Sequence, residues 1–321
     1  MKKLLLASTA LVGFAGAAAA EVSLSGYAEI GVRGGSGNFG SVTAIETQFH
    51  NDVVINFNFS GSTDNGLEFG GKVQLDDSNG SNPNGIPRFD DEAFFVSGTF
   101  GRVTLGETDG AFDWALSEIY SGTALNDDHS THAGAYWYTG LDGTYDNQIA
   151  RYEYSFGDFG IAGSAEIDDT GVGDTVWGLG GKWAGSFSGL DIGAGIGVQD
   201  NGVNTVWGLS GRIAMQQGFS LSAGYADLDG TAFHTSNGFT TTPLSDSWWG
   251  VGAAYSAGAL TVGANYGAFD TNQGTIDGWG LVANYDLGGG AVAMAGYGSG
   301  DAASWNGGGK DTWSVGLGLS F

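Results

Sequence analysis

The sequence predicts an all-β fold, a 16-stranded antiparallel transmembrane β-barrel, and three observations carry that prediction. The first is the C-terminal stretch Asp311 to Phe321, in which Trp313, Val315, Leu317, Leu319 and Phe321 alternate with Ser314, Gly316, Gly318 and Ser320. Side chains on a strand alternate between faces, so one face of this segment is apolar with an aromatic at each end and the other is small or polar. The second is recurrence of the same grammar from Trp177 to Trp183, Trp249 to Tyr255 and Trp279 to Tyr285, with Trp207 opening a fourth copy. At about 3.3 Å per residue and a tilt near 40°, such segments span roughly 15 to 25 Å, the height of the apolar band of a membrane barrel. Trp177, Trp183, Trp207, Trp249, Tyr255, Trp279, Tyr285, Trp313 and Phe321 are therefore expected at the two membrane interfaces. The third is the lack, after residue 20, of any apolar run long enough for a membrane-spanning helix, which leaves a closed barrel as the way to span.

From the start of the chain, residues 1–20 read as a secretory signal peptide. Lys2 and Lys3 give the positive start, Leu4 to Phe14 the apolar stretch, and Ala18 to Ala20 the small-residue cleavage site, so the mature chain begins at Glu21. Residues 21–321 then form one barrel. Its strands are expected at 21–33, 49–60, 67–76, 92–99, 102–107, 148–156, 159–167, 175–183, 190–199, 205–213, 219–227, 247–255, 259–268, 277–285, 291–298 and 311–321. An even number of strands lets the two ends meet and close the sheet. Tight turns such as Gly61 to Gly66, Gly157-Asp158, Ser256 to Gly258 and Asp286 to Gly290 join them at one end.

Composition fits long tilted strands: the chain holds 61 Gly and only 3 Pro. It has no Cys, which excludes a disulfide framework and thiolate metal sites. Without Lys2 and Lys3, 8 basic residues stand against 35 acidic ones, a mature charge of −27. Such a field attracts cations and repels nucleic acid.

The loops at the other end are unequal. Residues 77–91, 227–246 and 299–310 are ordinary polar loops, whereas 108–147 is a forty-residue connection between the fifth and sixth strands. A structureless connection of that length is uncommon unless it has a function. Its Phe112, Trp114, Tyr120, Trp137 and Tyr138 call for a surface to pack on, and a barrel wall would supply one.

Candidate chemistry is sparse. Asp127 and Asp128 are candidates for a divalent cation such as Ca²⁺, which takes carboxylate oxygens from flexible loops, and Asp168-Asp169 has the same option. No cofactor is otherwise called for. His129 and His132 lack a third transition-metal ligand nearby and read as polar loop residues. Gly193-Ala-Gly-Ile-Gly197 mimics part of a dinucleotide fingerprint, but it lies within an alternating strand with no helix after it. No nucleophile triad or paired-carboxylate arrangement stands out.

The stretches Ser60-Gly-Ser-Thr-Asp-Asn-Gly-Leu-Glu-Phe-Gly70 and Ser97-Gly-Thr-Phe-Gly-Arg-Val-Thr-Leu-Gly-Glu107, with the Tyr285 to Gly290 turn and the terminal Phe321, resemble the general diffusion porins of alphaproteobacteria. The resemblance covers essentially the whole mature chain. It implies a trimeric outer-membrane barrel, exported through the Sec pathway, set in outer-membrane lipid and lipopolysaccharide, and recognised by the barrel assembly machinery through Phe321. It further implies that the third loop, 108–147, folds inward to form the constriction of a water-filled channel for small hydrophilic solutes and ions. Basic wall residues would face acidic loop residues there: Lys72, Arg102 and Arg151 against Glu107, Asp109, Asp113 and Glu118. Family members commonly carry an Arg in the second strand, where the inward positions here are His50, Asp52, Val54, Asn56 and Asn58. That departure and the net charge together predict a preference for cations. Two alternatives are a substrate-specific channel with an aromatic track from Trp114, Trp137 and Tyr138, and an outer-membrane barrel enzyme. Inward positions that are mostly Gly, Ser and Ala leave room for water and disfavour the enzyme.

Overall fold

Sixteen strands run up and down in chain order in the computed structural model: β1 (Glu21–Gly35), β2 (Ile45–Ser62), β3 (Glu68–Asp76), β4 (Arg88–Gly98), β5 (Gly101–Glu107), β6 (Gln148–Phe156), β7 (Phe159–Glu166) and β8 (Val176–Phe187), followed by β9 (Leu190–Asp200), β10 (Thr205–Met215), β11 (Phe219–Thr231), β12 (Ser245–Ala257), β13 (Leu260–Thr271), β14 (Gly274–Gly288), β15 (Ala291–Gly300) and β16 (Lys310–Ser320). A single short helix among the described residues, α1 (Ala111–Ala115), follows β5. The structure describes residues 21–35, 45–76, 88–119, 122–125, 140–141, 148–168, 170–231, 244–300 and 310–321. The expected signal peptide and most of the upper loops lie outside these residues, as do Asp127, Asp128, His129, His132, Trp137 and Tyr138.

Every strand pairs antiparallel with its neighbours in sequence, and β1 pairs with β16 to close the sheet. The seam runs from Tyr27 opposite Ser320 to Gly35 opposite Thr312. Below it, Gly26 and Phe321 exchange backbone hydrogen bonds of 2.6 and 3.0 Å, so the last residue of the chain is tied into the ladder. The Phe321 ring lies over Gly26, where a side chain would collide with it. Several strands are longer than the apolar alternation predicts. β14 starts three residues early and ends three late, and β2 starts at Ile45 rather than 49. Backbone pairing continues past the membrane band, where outward side chains no longer need to be apolar.

The alternation holds around the wall. Leu179, Leu281 and Val315 point outward and are 64, 46 and 52% exposed, whereas inward Val206 and Ser314 are fully buried. Outward aromatics stack in a repeating diagonal: Trp207 on Tyr225, Trp249 on Tyr266 and Trp279 on Tyr297, each with ring centres 5.4 Å apart. Each pair sits two residues off register on adjacent strands, a diagonal separation that long aromatic side chains bridge. At the other rim Phe219 packs on Tyr255 and Phe156 on Phe159.

The apolar core lies inside the barrel. Val176, Val206, Ala226, Leu228, Trp248, Phe269 and Ile276, all inward from the upper ends of β8 and β10 to β14, pack with Phe112, Ile119 and Leu141 of the long loop. The lumen is thus not lined throughout by Gly, Ser and Ala, as the alternation suggested. One side of its upper half is dry because the loop covers it.

An outward position in the membrane band and an inward one on the same strand should respond differently to charge. Leu179→Arg should lower the folding free energy by about 2 to 4 kcal/mol. Ala184→Arg, inward beside Lys182, should change it by about 0.5 kcal/mol or less. Urea titration of the two variants refolded into lipid vesicles reads the contrast, and equal losses would contradict the assigned faces.

Candidate functional site

Where it is described, at residues 108–119, 122–125 and 140–141, the connection from β5 to β6 lies against the inner wall. Its path is fixed by small wall residues whose hydroxyls and empty faces receive the loop backbone. The Ala111 amide donates to Ser164 Oγ of β7 at 2.8 Å, and the Ser117 amide to Ser210 Oγ of β10 at 2.8 Å. Ser222 of β11 donates to the Ile119 carbonyl, and Ser314 of β16 to the Leu125 carbonyl at 3.2 Å. The Leu141 amide returns to Gln199 Oε1 of β9 at 2.7 Å. Buried loop backbone must be hydrogen-bonded, and the wall's side chains meet that requirement.

Close approach demands glycine at particular points. A Cβ at Gly252 would overlap the Ile119 carbonyl, and one at Gly180 the Ala111 carbonyl. α1 lies directly on β7, β8 and β9 as a result. Lys182 on β8 completes this contact: its Nζ sits 3.6 Å above the Trp114 ring and donates to the Trp114 carbonyl at 2.9 Å. The sequence reading missed Lys182, although its inward parity between Gly180 and Ala184 was available. One face of the Trp114 ring is thereby covered by Lys182.

Lys72, Arg102 and Arg151 come together on one lumen cavity of about 520 Å³, shared with Glu21, Ser23, Asn58, Ser60, Phe95, Thr104 and Thr108. Lys72 Nζ pairs with Asp91 at 2.6 Å. Arg151 is buried; its Nε donates to Glu153 at 3.1 Å and its Nη1 to the Asp109 carbonyl at 2.5 Å, with the Asp109 carboxylate at 4.0 Å. The Arg102 guanidinium lies 3.8 Å above the Phe95 ring, and its Nε donates to Thr104 at 3.3 Å. Of the loop acids, Asp109 is beside the basic wall, Asp113 is half-buried within α1, and Glu118 is exposed. Glu107 is half-buried at the end of β5, opposite Gln148.

Strand β2 presents its expected inward set. His50 Nε2 lies 2.9 Å from the Glu29 carboxylate, which also accepts a hydrogen bond of 3.0 Å from Tyr27, and Asp52 stands opposite Glu29 in register. Asp168 serves its own loop. Its carboxylate accepts from the Thr170 hydroxyl at 2.7 Å and from the amides of Thr170, Gly173 and Val172, which together hold its pKa at about 2. Three of those donors converge on Oδ2 and one on Oδ1. No group of three His, Asp or Glu suited to a metal occurs among the described residues.

A Gram-negative porin family model matches residues 7–304. The chain belongs to the Gram-negative porin family. Its relatives include a porin of Rhodobacter capsulatus, 29% identical over 305 residues that span 88% of this chain and 95% of that one. A porin structure refined at 1.8 Å superposes with a TM-score of 0.70 at 23% identity, covering 94% of this chain and all of that one. A Rhodopseudomonas blastica porin triple mutant gives 0.68 at 18% over the same shares, and the anion-selective porin of Comamonas acidovorans gives 0.61 at 15% over 94% of this chain. The porin described here is therefore an outer-membrane channel for passive diffusion and not an enzyme. The shared fold includes an anion-selective member, so ion preference must be argued from this porin's own residues.

Seating of the loop on the wall should depend on its glycines. Gly252→Val places a branched side chain in the Ile119 carbonyl and should free the loop, raising its cleavage by protease at least several-fold. Gly211→Val faces outward into open space and should leave cleavage unchanged. Cleavage that is equally slow in both variants would show that the wall does not need the empty face at Gly252.

Proposed function

We propose that this porin passes small hydrophilic solutes and ions through a water-filled lumen with a preference for cations. The observation that carries this reading is local pairing of the basic wall. Lys72 is matched by Asp91, and Arg151 by Glu153 and Asp109. Of the three cations Lys72, Arg102 and Arg151, two are thus neutralised at short range, and Glu29 and Asp52 stand opposite each other on the inward faces of β1 and β2. The chain's surplus of acids sets the long-range potential in the same direction. Across the constriction the field runs from Lys72, Arg102 and Arg151 toward Glu107, Asp109, Asp113 and Glu118, and it orients dipolar solutes.

Neutralising Asp109, Asp113 and Glu118 together (Asp→Asn, Glu→Gln) should reduce the cation preference without unfolding the barrel, because Arg151 keeps Glu153 and the Asp109 carbonyl. The zero-current potential across a tenfold KCl gradient measures this. The effect should be largest at low salt, since the screening length falls from about 30 Å at 0.01 M to about 3 Å at 1 M. An anion preference in the unaltered porin, or a triple variant identical to it, would overturn the assignment.

The assembly we propose is a homotrimer in outer-membrane lipid and lipopolysaccharide. It is exported through the Sec pathway on residues 1–20 and inserted by the barrel assembly machinery acting on Phe321. The outward faces of β1 and β2 support the trimer, with Val22, Leu24 and Ile30 exposed beside Val53, Ile55 and Phe57. Phe321 remains 65% exposed at the barrel's lower edge. Native mass spectrometry from mild detergent should give three chains, each starting at Glu21. Monomers only, or chains retaining Met1, would contradict the corresponding part.

A further inference from the structure

The lumen cavity beside the loop root contains one cation whose binding edge is unfilled. The Arg102 guanidinium lies over the Phe95 ring at 3.8 Å, and its Nε is tied to Thr104. Its two terminal nitrogens make no hydrogen bond or ion pair with the described residues, in contrast to Lys72 and Arg151 in the same cavity. A guanidinium fork presents parallel N–H donors that match the two oxygens of a carboxylate. Stacking and the Thr104 bond fix the plane of this fork in advance, which lowers the entropic cost of using it. Hydroxyls of Ser23, Ser60, Thr104 and Thr108 and the amide of Asn58 line the remaining space, and Glu21 and Glu153 place negative charge next to it.

We propose that Arg102 is a solute-binding residue for small carboxylate-bearing molecules, and that α-amino acids are the simplest class to fit. The carboxylate takes the Arg102 fork with Lys72 nearby, and the ammonium group lies toward Glu21 or Glu153. In a channel whose prevailing potential disfavours anions, this cavity is the place where a carboxylate gains a compensating contact on its way through. The proposal rests on the reading of the barrel as an open, water-filled channel and adds a solute class to it.

The test is single-channel recording in KCl with potassium glutamate added to one side at millimolar concentrations. The unaltered porin should show brief current interruptions whose frequency rises linearly with glutamate. Arg102→Gln should lower that frequency at least about tenfold, the scale of one lost charge-assisted bidentate contact. Arg102→Lys keeps the charge but not the fork and should lose most of the effect, while Arg212→Gln, elsewhere on the lumen wall, should retain it. Conductance without interruptions, interruptions that persist in Arg102→Gln, full retention in Arg102→Lys, or an equal loss in Arg212→Gln would each overturn the site while leaving the channel intact. Absence of any KCl conductance would instead overturn the channel reading on which it rests.

Discussion

A backbone inside a bilayer has no water to bond with, and the rest of this structure follows from that. Each N–H and C=O in the membrane band must find a partner within the sheet, so the sheet cannot have an edge. Pairing of β1 with β16 removes the edge, and the exchange between Gly26 and Phe321 carries the closure to the last residue. Once the ladder is closed, side chains are free to serve two solvents, with apolar groups and aromatic diagonals outside and small or polar groups inside. The twofold alternation is the sequence's record of that division.

Closure creates an interior that is too wide for side chains alone to fill, and the loop from β5 to β6 occupies part of it. The loop is held by two kinds of contact. Ser164, Ser210, Ser222 and Ser314 satisfy its backbone, and Phe112, Ile119 and Leu141 bury against Trp248, Phe269 and their neighbours. Burial of several large apolar side chains, at roughly 1.5 to 3 kcal/mol each, outweighs the cost of ordering this segment better than hydrogen bonds alone would. Glycines at positions such as 180 and 252 determine how closely the loop backbone can lie. The seating of the described loop residues is therefore written on the wall as much as on the loop.

The fold was legible because a strand with one face in lipid leaves a period that survives without alignment. Leu281 and Gly280 could be assigned to opposite faces from spacing alone, and the end of β6 at Phe156 followed from the Gly157-Asp158 turn. Strand ends outside the membrane band were less legible, since pairing there makes no demand on side-chain polarity. The site was legible only in part. Lys72, Arg102 and Arg151 could be placed on the inner wall by parity, as could Glu153 two residues from Arg151, but Asp91 could not be matched to Lys72, because it reaches it through register and a bulge between β3 and β4. Trp248 shows the limit most clearly. Parity with Trp249 turns it inward, but only the position of the loop reveals that it is fully buried.

The pairing of β1 with β16 also sets an order of events in time. A sheet whose first strand is completed by its sixteenth cannot close until both are present. Until then β1 and the growing last strand both present open edges, the feature that most readily pairs with the wrong partner. Contacts between the two ends of a chain are also the slowest to form. A barrel of this topology stays open along one seam until the strand farthest from β1 in sequence arrives, and β1 is left with an unpaired side for as long.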